Sequence, residues 1–290
     1  MSSVLTVNPM QTTNAAGTFY TKSDGFIQGV AMDDPAARYA LASGTLSSNE
    51  ATPMWGGVPV DEMVPGVASA PRGTIVKRAT SRAGLVGFSV FNQAHNGLTT
   101  PQSPVPLYLS NMSVSFYRLG CGMRIPVKAS DAIITQVNAG ISVNYPVVWN
   151  FASDCLDVFS TVTADVDTTA IVWTAPTATA AGFATATTAT PHGLSVGAYV
   201  SITDAVPAAY NGTVQVLSVP AATSFTFIPQ SVPAGDATTQ GTVGAATQAD
   251  VVLPVKIIDA QKGNSKTVTF DPETGFATWN DAGSAALILL

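Results

Sequence analysis

The chain has 290 residues; 46% are apolar, only 10% are charged, and the net charge is −6. The length supports one large domain or two smaller ones around a sizeable core. Charged residues make up about 25% of an ordinary soluble domain. The deficit here argues against disorder, because disordered chains are charge-rich and poor in β-branched residues, whereas Val, Thr and Ile abound in this one. It predicts a folded β protein with an unusually neutral surface. Such a surface is a solubility risk for a free monomer, so composition predicts a protein that lives docked against partners.

The charge is unevenly placed. The first 128 residues carry nine Lys or Arg and six Asp or Glu, and no Lys or Arg occurs between Lys128 and Lys256, an interval with eight Asp. A nucleic-acid binder shows a basic face, and this distribution argues against one. The single basic cluster, Arg72, Lys77, Arg78 and Arg82, either faces an acidic protein partner or is a solvated loop. The start, MSSVLTVNPMQTTNAAG, lacks the charged and apolar regions of a signal peptide. No run of about 18 apolar residues is present to span a membrane, so no membrane contact is expected. Two cysteines, Cys121 and Cys155, and two histidines, His95 and His192, have no metal-ligand spacing. No metal and no cofactor is expected.

In chain order, the first stretch, SSVLTVNPMQTTNAAG, lacks core periodicity. It reads either as an arm laid over a neighbouring subunit or as a loose terminus. Asp33 and Asp34 ahead of Pro35 and AARYALA form a helix-start signature, the best helical candidate in a chain where the 3.6-residue period is weak. Trp55, beside Gly56 and Gly57, and Trp279 are each either an interface anchor or a core tryptophan. Asp61 and Glu62 are adjacent, so in a strand they point to opposite faces and form no acid/base pair.

Runs rich in β-branched and aromatic residues follow: SVSFYRLG (113–120), MRIPVKA (123–129), VVLPVKIID (251–259) and KTVTFD (266–271). VSFYR and KTVTF alternate in character, as half-buried strands do. The closing ALILL does not alternate and predicts a strand buried on both faces. Cys121, between glycines, reads as buried. Asp165-Val-Asp167 has the start of a calcium loop without its Gly and closing Glu, and reads as a solvated strand end.

From about 170 to 247 the composition changes to Ala, Thr, Val, Gly and Pro. Five strands are expected there, GFATATT, AYVSITD, GTVQVLSV, SFTFIP and QGTVGA, separated by turn residues. The expected fold class is therefore mainly β. A larger β-barrel or jelly-roll-like domain (1–169 and 248–290) is interrupted by a small Ig-like β-sandwich or barrel (170–247), which protrudes because insertions sit at loop tips.

One motif inside this module bears on chemistry. HGLSVG (192–197) contains the Gly-x-Ser-x-Gly spacing of a nucleophile elbow. The elbow needs a strand before Ser195 and a helix after it, whereas AYVSITD follows, a strand. No histidine lies beyond Ser195. The reading is a turn serine beside a packed or capping His192. No catalytic residue is expected, and no enzyme.

The module's His-Gly-Leu turn (192–194), Val196-Gly197, Tyr-Asn-Gly turn (210–212) and Ser-Phe-Thr-Phe (224–227) resemble a small β module that recurs in virion proteins of tailed bacteriophages. The flanks, GFIQGVAMDDPAARYALASG (25–44), PMWGGVPV (53–60) and GNSKTVTFDPETGFATWNDAGSAALILL (263–290), resemble head decoration proteins, the structural cement of those phages. The resemblance implies a virion protein made in the host cytoplasm, bound to the outer capsid surface. It implies the major capsid protein as partner and a homotrimer as the oligomer, and brings no catalytic or cofactor residues. The candidate capsid-interface residues are Arg72, Lys77, Arg78, Arg82 and Trp55. The alternative is a tail or baseplate structural protein whose β module binds host glycans.

Overall fold

The computed structural model describes residues 25–32, 40–50, 52–64, 73–91, 104–160, 165–177 and 182–290. The chain is mainly β and contains two closed barrels. In order come β1 (Leu41–Leu46), β2 (Pro59–Met63), β3 (Ile75–Arg78), β4 (Gly87–Ser89), β5 (Ser113–Arg118), β6 (Arg124–Lys128) and helix α1 (Asp131–Asn138). Next are β7 (Val147–Asn150), β8 (Cys155–Val158), β9 (Val166–Thr174), β10 (Phe183–Thr188) and β11 (Tyr199–Thr203). The last are β12 (Gly212–Ala221), β13 (Ser224–Phe227), β14 (Thr242–Ala245), helix α2 (Gln248–Val251), β15 (Lys256–Asp271) and β16 (Phe276–Leu289).

The chain divides into two compact units. The first runs to Arg78 and includes 86–145 and 254–290; the second is 79–85 with 146–253. The stretch set apart by composition, 170–247, falls inside the second unit, which also takes in the β7–β8 hairpin and the start of β9.

In the first unit β1-β3-β2-β4-β5 close a barrel. Closure depends on a short parallel pairing of β1 with β3, Thr45 opposite Ile75 and Leu46 opposite Val76; the other ladders are antiparallel. Leu46, Met54, Val60, Val76, Tyr108, Val114 and Phe116 fill the interior. Val114 through Tyr117 of β5 are all buried, so VSFYR is not the half-buried strand its alternation suggests. Both of its faces are covered, Ser115 included.

A second sheet of this unit has the order β15-β16-β6. ALILL lies in its central strand, and Ala285, Ala286, Leu287 and Ile288 are buried in succession, as the missing alternation requires. VVLPVKIID and KTVTFD turn out not to be two strands. Val251 ends α2, and the remainder from Lys256 joins KTVTFD in one 16-residue strand. Its register shifts between Ile257 and Asp259 and again between Gln261 and Thr267, so irregularities in the ladder absorb Gly263 and Asn264 within the strand.

Residues 25–32 staple the two sheets of this unit. Lys266 N–H donates to the Phe26 carbonyl (2.7 Å), Gln28 N–H to the Lys266 carbonyl (2.9 Å), Gly29 N–H to the Pro126 carbonyl (2.9 Å), and Phe91 N–H to the Gly29 carbonyl (2.8 Å). The buried Gln28 side chain also accepts from Val268 N–H at 2.9 Å. Gly29 has φ +77°, and a Cβ there would collide with the Gly56 backbone.

Helix α1 is the element least visible in the sequence. Ser130 caps it, its hydroxyl accepting from Ile133 N–H at 3.3 Å, and Asp131 sits in the first turn, where the helix dipole favours an anion. Ile133 and Ile134 are its buried contacts. Of the helix expected after Pro35, AARYALA, residues 36–39 lie outside the described residues, and its last two, Leu41 and Ala42, stand in β1, paired with Tyr117 and Phe116 of β5. The N-terminal arm lies outside the described residues.

Asp61 and Glu62 do point apart. Asp61 meets Lys77 across the ladder at 3.2 Å, while Arg118 donates to Glu62 from two nitrogens at 2.8 and 2.6 Å. Those bonds hold the Glu62 carboxyl below the usual carboxylate range, against a smaller opposing effect of burial. A depressed native value stabilises the fold above the unfolded value, about pH 4.3, and the benefit disappears as pH falls through the native value. The pair is part-exposed, so Glu62→Gln is expected to cost about 0.5 kcal/mol at neutral pH. Urea midpoints should show that difference at pH 7 and none near pH 2.

In the second unit β10-β13-β12-β11-β14-β9 close an all-antiparallel barrel. All five strands expected from 170 to 247 are present as β10 to β14, and β9 completes the ring. Phe225, Phe227, Tyr210, Ile171, Leu194 and Ile202 are the largest buried groups of its core. A smaller cluster joins Val148 of β7 to Tyr199, Ala246 and Val251.

Candidate functional site

HGLSVG forms the connection from β10 to β11, so Ser195 lies between two strands and is exposed. Its carbonyl accepts from Ala198 N–H at 3.1 Å. His192 is buried, its Nδ1 accepting from Leu194 N–H at 3.0 Å and its ring meeting Phe225 edge-on at 5.5 Å. The histidine is thus packed and capping, as the turn reading has it, and its Nε2 has no hydrogen-bond partner among the described residues. Gly197, at φ +87°, leaves room for the Asn150 side-chain amide, which a Cβ would strike.

That amide belongs to a buried polar seam tying the β7–β8 hairpin to the barrel. Gln215 Nε2 donates to the Trp149 carbonyl (3.1 Å) and the Gly197 carbonyl (3.0 Å), and its Oε1 accepts from Phe151 N–H (2.6 Å). Tyr199 donates its hydroxyl to the Trp149 carbonyl at 2.6 Å, and burial pushes its phenol far above the ordinary tyrosine range. Gln215 and Tyr199 both spend their polar atoms on backbone groups, and the Asn150 amide donates to Asp157 at 3.3 Å, so the seam fixes geometry.

The five candidate interface residues are not equivalent. Arg72 lies outside the described residues. Trp55 is 4% exposed, packed against Phe270 with ring centroids 5.4 Å apart. Arg78 lies over the Trp55 ring at 4.5 Å and donates to the Pro53 carbonyl at 3.3 Å. Lys77 is held by Asp61. Trp55, Lys77 and Arg78 are therefore engaged by their own chain. Arg82 belongs to the second unit, on a turn closed by Leu85 N–H to the Arg82 carbonyl (3.2 Å).

The remaining candidates are placed as follows. Asp167, the second residue of β9, accepts from the Thr242 hydroxyl at 2.9 Å, and Asp165, just ahead of the strand, is exposed. Cys121 is only partly buried, in the turn after β5, which corrects the expectation of a buried thiol; Cys155 is buried. The glycines on either side, Gly120 and Gly122, take the left-handed backbone of a tight turn, at φ +81° and +76°. Among the described residues no group of three or more His, Cys, Asp or Glu converges as a metal site. No helix among them is long and apolar enough to cross a membrane.

No family model, curated protein or solved structure matches the chain.

Proposed function

We propose that this chain is a structural virion protein of a tailed bacteriophage, a head decoration protein that binds the outer capsid surface and bridges major capsid subunits. The observation that carries the reading is the shortage of ionic groups, 10% of the residues, on two barrels whose surfaces retain large apolar side chains. Val64 is 93% exposed and Val232 is 77% exposed, with Met32, Leu109 and Phe276 exposed on the first unit and Val172, Val196 and Val206 on the second. Single exposed apolar residues are ordinary. Their coincidence with so few charges lowers the desolvation cost of broad contact, which a shell-binding protein needs over a large area. Closed barrels suit the role, because they leave few open strand edges for unplanned pairing. The resemblance of residues 25–44, 53–60 and 263–290 to phage cement proteins points the same way.

The test is to add the purified protein to capsids assembled without it and follow co-sedimentation and shell melting. Saturable binding with a raised shell melting temperature is the expected result. Shells that neither bind the protein nor gain stability at saturating concentrations overturn the proposal.

A further inference from the structure

His192 stands in a part of the second barrel that carries no other titratable side chain. From Phe183 to Ala198 and from Gly212 to Phe227 there is no Asp, Glu, Lys, Arg, Tyr or Cys, and those stretches hold β10, β12, β13 and the His-Gly-Leu turn itself. The elements that close on the ring come from them. Its backbone N–H donates to the Ala222 carbonyl at 3.0 Å, and Phe225 meets the ring edge-on. Tyr199, at the start of β11, spends its hydroxyl on the Trp149 carbonyl. The histidine is 5% exposed, so neither these elements nor water stand ready to balance a positive charge.

The hydrogen bond at Nδ1 fixes which form of the ring the fold accepts. Leu194 N–H donates to Nδ1 at 3.0 Å, so Nδ1 presents a lone pair and the proton of the neutral ring sits on Nε2. A second proton has only Nδ1 to go to. There it would set two donors, Nδ1–H and Leu194 N–H, against each other and place an unbalanced cation in an apolar site. The turn matters to the barrel because Leu194 is buried in the same core cluster as Phe225 and Phe227.

We propose that His192 is an acid-sensitive latch: its neutral ring holds the His-Gly-Leu turn closed, and protonation releases the turn and withdraws Leu194 from the core of the second barrel. The sign follows from which state takes the proton. A histidine in an open chain takes one up near pH 6.5, whereas the latched ring does so only by giving up its bond to Leu194. The latch is therefore closed above about pH 6.5, and each step below it favours the open turn. The seven aspartates of the unit all lie outside the two stretches, and carboxylates ordinarily titrate near pH 4, so a window from about pH 7.5 to about pH 5.5 reads the histidine.

The experiment follows the full chain across that window by thermal melting and by amide exchange at Leu194, with His192→Asn alongside. Asparagine offers an amide oxygen near the position of Nδ1, accepts the same N–H and takes up no proton. The wild-type second unit is expected to melt roughly 5 °C lower at the acid end, and His192→Asn to hold its melting point. In the wild type the protection of Leu194 N–H should fall about ten-fold while Phe91 N–H in the first unit keeps its own. The exchange measurement needs no variant to fold. Unchanged protection at Leu194, or a second-unit transition that falls equally in His192→Asn, overturns the proposal.

Discussion

Phe225→Ala is expected to cost the second unit about 3–5 kcal/mol, the range for deleting a buried phenylalanine ring. Phe225 is fully buried in β13, meets His192 edge-on, and lies against Phe227 with ring centroids 5.8 Å apart. The lost ring leaves a void between strands that are locked in a closed ladder, so the walls cannot collapse to fill it. A domain is stable by only about 5–15 kcal/mol, so the variant unit should melt well before the wild type. Tryptophan fluorescence in urea checks this: Trp149 and Trp173 lie in the second unit, Trp55 and Trp279 in the first. The second-unit transition should move to lower urea while the first stays. A cost under about 1 kcal/mol would mean that the ring is not a core group.

Gly29→Ala should be comparably severe in the first unit, about 2–5 kcal/mol. Left-handed backbone costs a non-glycine residue about 1–2 kcal/mol, and the new methyl group would overlap the Gly56 backbone, adding about 1–3 kcal/mol of overpacking. The loss falls on the staple: with Gly29 displaced, its bonds to Pro126 and Phe91 lose their alignment. Hydrogen exchange is the discriminating measurement. Protection at Phe91, Lys266 and Val268 should collapse while the second-unit ladders keep theirs. Unchanged protection at those three amides would contradict the staple.

The second barrel was the most legible part of the sequence. PHGLSVG and AVPAAYNG carry turn residues whose conformations leave little choice, and Gly193 (φ +62°) and Gly197 (φ +87°) adopt the left-handed geometry that only glycine takes cheaply. The final strand was legible too, since an apolar run without alternation must be covered on both faces.

Helix α1 was hidden by its own composition. Ile133, Ile134, Thr135 and Val137 are β-branched, which lowers helix propensity, and eight residues show little period. The Ser130-Asp131 cap ahead of an apolar pair was the available signal. The continuity of β15 was hidden because Gly263 (φ +69°) looks the same in sequence whether it makes a turn or a bulge. Closure of the first barrel rests on two parallel pairs between β1 and β3, a non-local event that leaves no local mark.

The basic cluster shows the same limit at the candidate site. Lys77, Arg78 and Arg82 are near neighbours in sequence and were read as one feature. The fold gives Lys77 a carboxylate and Arg78 an indole face, and among the described residues it gives Arg82 the Val252 carbonyl. Which cation remains available depends on what packs beside it, and spacing carries no information about that.

The proposed role as a shell-covering protein is tested most directly by the copy number of this chain on purified virions, measured by quantitative mass spectrometry against the major capsid protein. The account predicts many copies per particle in a fixed ratio to capsid subunits. A handful of copies per particle, or none, would contradict it.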